Sequence, residues 1–416
     1  MPTPVVYLGA EAKPLFTDLP AARRTPPLEL LFITDRAPAK SDEDDRPYSA
    51  NRSRSVTFGS ATIEFGKDLS WDELARQSVA AERSVELDLK LGATKEAGHY
   101  PPTPYGVARA PGGVTRAPAV LEAHARAAQD LQAEVARLLA AAPRKEMVLY
   151  VHGYANTFVD AAVTMGELCH FLGREIACGI FTWPGGGKRG ILFGYQVDYE
   201  SSQFAVEHLR KAIRTIAATP GLERLHLLAH SRGTDVLTTA LSELSVEAYI
   251  LKQTLPERFK IGNVILAAPD IDADIAAAKI FKLVSDPDLP HGGAPEPAAV
   301  IRPSPGFHVT VYASPDDKAL ATSGWLFGSV LRLGQVDRAL LSPQQIDELT
   351  KLGLFDMIQV FGATDTFGHS YFVSNPRVSA DIVSMLRYRL RPNQPGRPLE
   401  EVKRPFWRIP RPPESK

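Results

Sequence analysis

Residues 224–244, RLHLLAHSRGTDVLTTALSEL, decide how this chain is read. Arg224–Ala229 is a short, mostly apolar run of strand length, and from Arg232 onward apolar residues recur at helical spacing. Between them, Ala229-His230-Ser231-Arg232-Gly233 follows the G-x-S-x-G pattern of a nucleophile turn, with Ala229 in the first Gly position. A sharp strand-to-helix turn leaves no room for large side chains beside its serine, which accounts for Ala229 and Gly233. Such a turn lifts the hydroxyl above the sheet edge, and the helix N-terminus behind it adds positive potential. Ser231 as a plain helix cap is compatible with the same geometry.

Outward from this turn the rhythm repeats. Apolar runs at 147–151 (MVLYV), 178–183 (CGIFTW), 263–268 (NVILAA), 308–313 (HVTVYA) and 357–362 (MIQVFG) have strand length. Helical spacing fills 158–172, 201–217, 272–284 and 344–352, and recurs at 378–388. Continuous apolar strands alternating with helices predict a doubly wound, mostly parallel sheet covered on both faces. Ahead of it, Leu28–Thr34 reads as a strand and Asp35–Arg54 as a solvated charged loop. Ser55–Gly66 reads as strand, Gly-Ser turn and strand, Trp71–Leu91 as helical, and Leu121–Ala142 as a helix stopped by Pro143. The chain thus divides into an N-terminal strand and helix segment (1–143) packed on the core, an α/β core (144–390) and a Pro-rich basic tail (391–416). Within the core, 285–306 is a Pro-rich loop and 319–342 an apolar excursion able to wall a pocket.

Composition narrows the function. Lys and Arg total 47 against 48 Asp and Glu, a balance that argues against gripping phosphate backbones or anionic membranes. The partner expected is a small molecule, with no nucleic acid and no membrane insertion. The first residues, MPTPVVYLGAEAKPLF, lack the basic and apolar regions of a secretory signal, so the expected location is the cytoplasm. Cys169 and Cys178 are too few for a thiolate metal site and read as buried core thiols. His226 and His230, four apart on a strand, do not make a chelating pair. TWPGGGKRG (182–190) lacks the spacing of a phosphate loop and reads as a flexible loop rimming the site.

A serine nucleophile needs a base, and the base needs a carboxylate to orient it. On a fold of this kind the order is Ser, acid, His. Of the histidines downstream, His291 lies in the Pro-rich loop and His308 opens a strand at the wrong edge. His369, in TDTFGHSYF after the last strand, is in place. The acid follows the preceding strand: Asp317 in Ser314-Pro315-Asp316-Asp317-Lys318 is the first choice and Asp316 the second. Asp270 and Asp272, one crossover earlier, read otherwise as loop and helix-cap residues. The oxyanion needs two N–H donors, for which the backbone of Arg232 and of Tyr154, in the loop His152-Gly153-Tyr154-Ala155-Asn156, are the candidates. His152 is expected to brace that loop, and His230 to point away from the nucleophile.

VHGYANTFVDA, FTWPGGG…YQVDYESS, LLAHSRGTDVL, LAAPDIDAD, YASPDDKAL…RLG and FGHSYF occur in an order that resembles a bacterial branch of the α/β-hydrolase superfamily, esterase- or lipase-like and of unknown function. TDR…YSANRSRSVTFGSATIEFG resembles that branch's leading segment, so the resemblance spans about 28–390. It implies an α/β-hydrolase fold with Ser231 as nucleophile, Asp317 as acid and His369 as base. The expected activity is a serine carboxylesterase of small to medium acyl groups, working through an acyl-enzyme without metal or organic cofactor. Amidase, thioesterase or acyltransferase chemistry on the same triad, or a non-catalytic binding role, are the alternatives. A polar rim of Lys188, Arg189, Asp198, Glu200 and Arg232 carries the acyl-length expectation.

Overall fold

Each apolar run of the core becomes a strand buried almost throughout, as a sheet covered on both faces requires. The computed structural model describes residues 1–40, 47–187, 191–285, 306–327, 331–362 and 368–410. In chain order the strands are β1 (Leu28–Pro38), β2 (Tyr48–Phe65), β3 (Leu89–His99), β4 (Val107–Ala110), β5 (Gly113–Arg116), β6 (Glu146–Val151) and β7 (Ala177–Thr182). They continue as β8 (Arg224–His230), β9 (Ile261–Ala267), β10 (His308–Ala313), β11 (Phe355–Gln359), β12 (Glu400–Lys403) and β13 (Phe406–Arg408). The chain forms two units, one of Asp18–Gln77 with Arg83–Leu225, the other of Met1–Thr17, Ser78–Glu82 and His226–Lys416.

In the first unit the strand order is β6-β7-β1-β2-β3. β6 and β1 both run parallel to β7, and β2 and β3 add antiparallel strands. The N-terminal strands therefore extend the sheet instead of packing on it. The expected solvated loop after Thr34 is partly strand, because β1 continues to Pro38 with Asp35 and Arg36 fully buried. Both charges find partners: Asp35 accepts from His208 at 2.9 Å, and Arg36 donates to the carbonyls of Asn156 and Gly185. Gly59-Ser60 is no turn either. β2 runs straight through it, and a Cβ on Gly59 would meet the Lys95 carbonyl at 2.0 Å, where the pairing with β3 shifts register. The glycine serves close strand approach, not chain reversal. The helix at 71–91 ends at Ser78, and Leu89 already begins β3.

Cys169 and Cys178 are joined in a disulfide, which corrects the expectation of two thiols. The helix Phe158–Phe171 and β7 are linked by a five-residue turn, 172–176. That turn brings the two Cα atoms to 6.2 Å, within bridging range.

In the second unit the order is β12-β13-β11-β10-β9-β8. β9, β10, β11 and β13 are mutually parallel neighbours, and β12 closes the edge antiparallel. The described part of the basic tail thus contributes a hairpin, β12 and β13, to the sheet. Leu227, Leu228, Ile265, Val311 and Ile358 on the strands and Val236, Leu237, Val378 and Ile382 on helices are essentially fully buried, each contributing on the order of 2 kcal/mol. Helices at Gly233–Ile250, Ala273–Ser285, Pro343–Leu352 and Pro376–Leu386 follow the spacing read from sequence. The Pro-rich stretch 286–305 lies outside the described residues. The apolar excursion is a helix, Lys318–Phe327, followed by two short 3-10 turns at Leu333–Gln335 and Arg338–Leu340.

Candidate active site

β8 ends at His230, and the helix behind it starts at Gly233. Ser231, between them, has φ +52°. A non-glycine residue in that region costs on the order of 1–3 kcal/mol and persists only where its surroundings enforce it. Here they do: Ser231 N–H donates to the Ala267 carbonyl at 3.0 Å, and the Ser231 carbonyl accepts from the N–H groups of Asp270 (3.2 Å) and Thr234 (3.0 Å). The Thr234 hydroxyl donates to the same carbonyl at 2.6 Å. The end of β9 and the first turn of the helix thus hold the serine in its strained conformation.

Asp317 and His369, 52 residues apart, meet at 2.7 Å between Oδ2 and Nδ1. A carboxylate oxygen accepts, so His369 Nδ1 carries the hydrogen and the ring's lone pair is on Nε2. Asp317 is buried, and its Oδ1 accepts from the Leu320 N–H at 3.1 Å, capping the helix Lys318–Phe327. The carboxylate is therefore fixed at a helix N-terminus, where negative charge is favoured. Both residues share a unit with Ser231. His230, the neighbour of Ser231, places its ring 4.8 Å from the His369 ring. Its ring thus packs on that of His369.

The other candidates are used elsewhere. Asp316 is exposed. Asp270 is buried in a charge cluster with Arg232 (3.3 Å), Arg332 (3.5 Å) and the Ser323 hydroxyl (2.6 Å). Asp272 accepts from the N–H groups of Asp274 and Ile275 as a helix cap. His308 pairs with Asp356 at the opposite end of β10, and His291 lies outside the described residues. The Arg232 side chain is buried against Asp270 and Asp235, so it leaves the expected polar rim.

The loop that carries Tyr154 belongs to the first unit. Asp198, also expected at the rim, is buried and accepts from the N–H groups of Ala155 (3.1 Å) and Gly186 (3.3 Å). His152 braces the loop as expected: Nδ1–H donates to the Gly153 carbonyl, and Nε2 accepts from Trp183 N–H at 3.1 Å. Arg36 also reaches that ring, at 3.2 Å from Nε2. Arg36 and Asp198 are thus supports that sequence reading missed. The available signal was an arginine continuing the apolar strand Leu28–Thr34. Of the rim residues, Glu200 is exposed, while Lys188 and Arg189 lie outside the described residues.

A mostly parallel sheet, helices on it, and a strained serine between a strand and a helix define an α/β hydrolase. The chain belongs to the family described as alpha/beta hydrolase of unknown function (DUF900), whose model matches residues 127–389. No curated protein matches the chain. Among solved structures it is similar to one described as a "predicted CIB-like hydrolase" from Thermoplasma acidophilum, with 12% identity, 59% of this chain and 87% of that chain covered, and TM-score 0.30. It is also similar to esterase B from Lactobacillus rhamnosis (13% identity, 52% and 65% covered, TM-score 0.27). An arylesterase gives 13% identity, 59% and 76% covered, and TM-score 0.27.

Proposed function

We propose that this hydrolase is a serine carboxylesterase acting on small-molecule esters through an acyl-enzyme. The observation that carries the reading is the 2.7 Å Asp317–His369 pair in the unit that also holds Ser231 at φ +52°. Ser231 Oγ attacks the ester carbonyl while His369 Nε2 takes its proton, and Asp317 stabilises the imidazolium through Nδ1–H. The tetrahedral oxyanion is held by backbone N–H donors, with that of Arg232 as one of them in our assignment. His369 returns the proton to the leaving alcohol. It then deprotonates water, which attacks the acyl-Ser231 ester and releases the carboxylic acid and the free serine.

Hydrolysis of aryl esters from acetyl to palmitoyl, set beside matched amides and thioesters, tests this. Short to medium esters are expected to be favoured, since each methylene adds only about 0.8 kcal/mol where a pocket holds it. Ser231→Ala should lower kcat by on the order of 10³ to 10⁶ with the fold unchanged by circular dichroism. Turnover of amides or thioesters in preference to esters would reassign the substrate on the same triad. Absence of turnover on all three classes would leave a binding role.

A further inference from the structure

His230 touches the base at two points. Its Nε2 lies 3.1 Å from the main-chain carbonyl oxygen of His369. Its ring packs 4.8 Å from the His369 ring and 4.7 Å from the ring of buried Phe372, three residues further on. A carbonyl can only accept, so Nε2 of His230 carries the hydrogen and donates it. His369 itself sits in irregular chain between Gly368, at φ +66°, and the short helix Tyr371–Ser374.

We propose that His230 is a positioning residue for His369: its Nε2–H bond to the His369 carbonyl holds the main chain that carries the base. Asp317 fixes the ring at Nδ1 and His230 fixes the backbone, so the imidazole is held at two separated points and cannot swing as a unit. The proposal rests on the serine-hydrolase reading above. A base displaced by about 1 Å loses on the order of 10²-fold in rate, and the backbone anchor prevents that displacement. The residue before the nucleophile thereby couples the end of β8 to the loop carrying the base, across 139 positions of sequence.

Two substitutions separate the bond from the packing. His230→Phe keeps a ring against His369 and Phe372 but loses the donor, while His230→Gln keeps an amide donor near the place of Nε2. His230→Phe is expected to lower kcat about 10- to 100-fold with KM within about threefold, and to slow fluorophosphonate inactivation in parallel. His230→Gln should recover most of the loss, with both melting temperatures close to the parent. The downfield proton resonance of His369 Nδ1–H, absent in Asp317→Asn, should broaden in His230→Phe and persist in His230→Gln. Wild-type kcat and an unchanged resonance in His230→Phe would overturn the proposal. So would equal losses in both variants that track a fall in melting temperature, which would make His230 a packing residue only. If the parent enzyme fails to react with fluorophosphonate, the esterase reading falls, and the His369 resonance alone decides whether His230 orders the loop.

Discussion

Asp317 and Asp270 both follow strands of the second unit and both are buried, yet their surroundings are opposite in character. Asp317 faces a histidine and a helix N-terminus, whereas Asp270 sits between two guanidinium groups, Arg232 and Arg332. Asp317→Asn keeps the shape and removes the charge that steadies the imidazolium, so it should cost up to about 10⁴ in kcat with little change in stability. Asp270→Asn leaves buried cations short of a counter-charge and should destabilise the fold by on the order of 3 kcal/mol. Thermal melts and steady-state kinetics on both variants check this. A collapse of kcat in Asp270→Asn with an unchanged melt, beside an active Asp317→Asn, would exchange the two roles. The place of Asp317 just after β10 was legible in sequence, because a position after a strand end is a local property. The contact of His230 with His369 was not, because it depends on a loop 139 residues away.

At the scale of elements, the segment 331–336 ties the acid loop to the end of β9. Gly334 N–H donates to the Pro269 carbonyl at 3.0 Å, and Ser314 N–H donates to the Gly334 carbonyl at 2.8 Å. Leu333 N–H donates to Ile271 and Ala273 N–H to Leu331 in the same stitch. A Cβ on Gly334 would stand 2.8 Å from Pro269 N and 2.9 Å from its carbonyl oxygen, atoms that cannot yield without moving the strand end. Gly334→Ala should therefore destabilise by about 1–3 kcal/mol and lower kcat as Ser314 and the neighbouring Asp317 shift. A variant with parental melt and kcat would show that the stitch does not position the acid. The strands of the core were readable because their apolar runs are continuous. Gly59-Ser60 misled because a glycine admitting a close neighbour and a glycine making a turn look alike until the partner strand is known. Asp35 and Arg36 misled because charge in a run reads as solvent-facing unless buried partners are known.

For the whole molecule, the residues proposed for nucleophile, acid and base all lie in the second unit, and the family match spans residues 127–389 across both. No helix among the described residues is long and apolar enough to cross a membrane. The Cys169–Cys178 bond, buried in the first unit, went unread because two cysteines nine apart look the same in sequence whether bonded or free. Disulfides persist chiefly in oxidising compartments, so this bond and the expected cytoplasmic location are tested together. Thiol titration of the unfolded protein, isolated without reductant, should find no reactive cysteine, and reduction should lower stability by about 2–3 kcal/mol. Two thiols before reduction would remove the bond from the account.

The central claim is that Ser231 is the nucleophile, and covalent capture tests it most directly. The native protein is treated with a fluorophosphonate, digested, and the modified peptide sequenced by mass spectrometry. The expected result is a single phosphonyl adduct on Ser231 that is absent in Ser231→Ala and much slower to form in His369→Ala. An adduct on another residue, or one that survives Ser231→Ala, would contradict it.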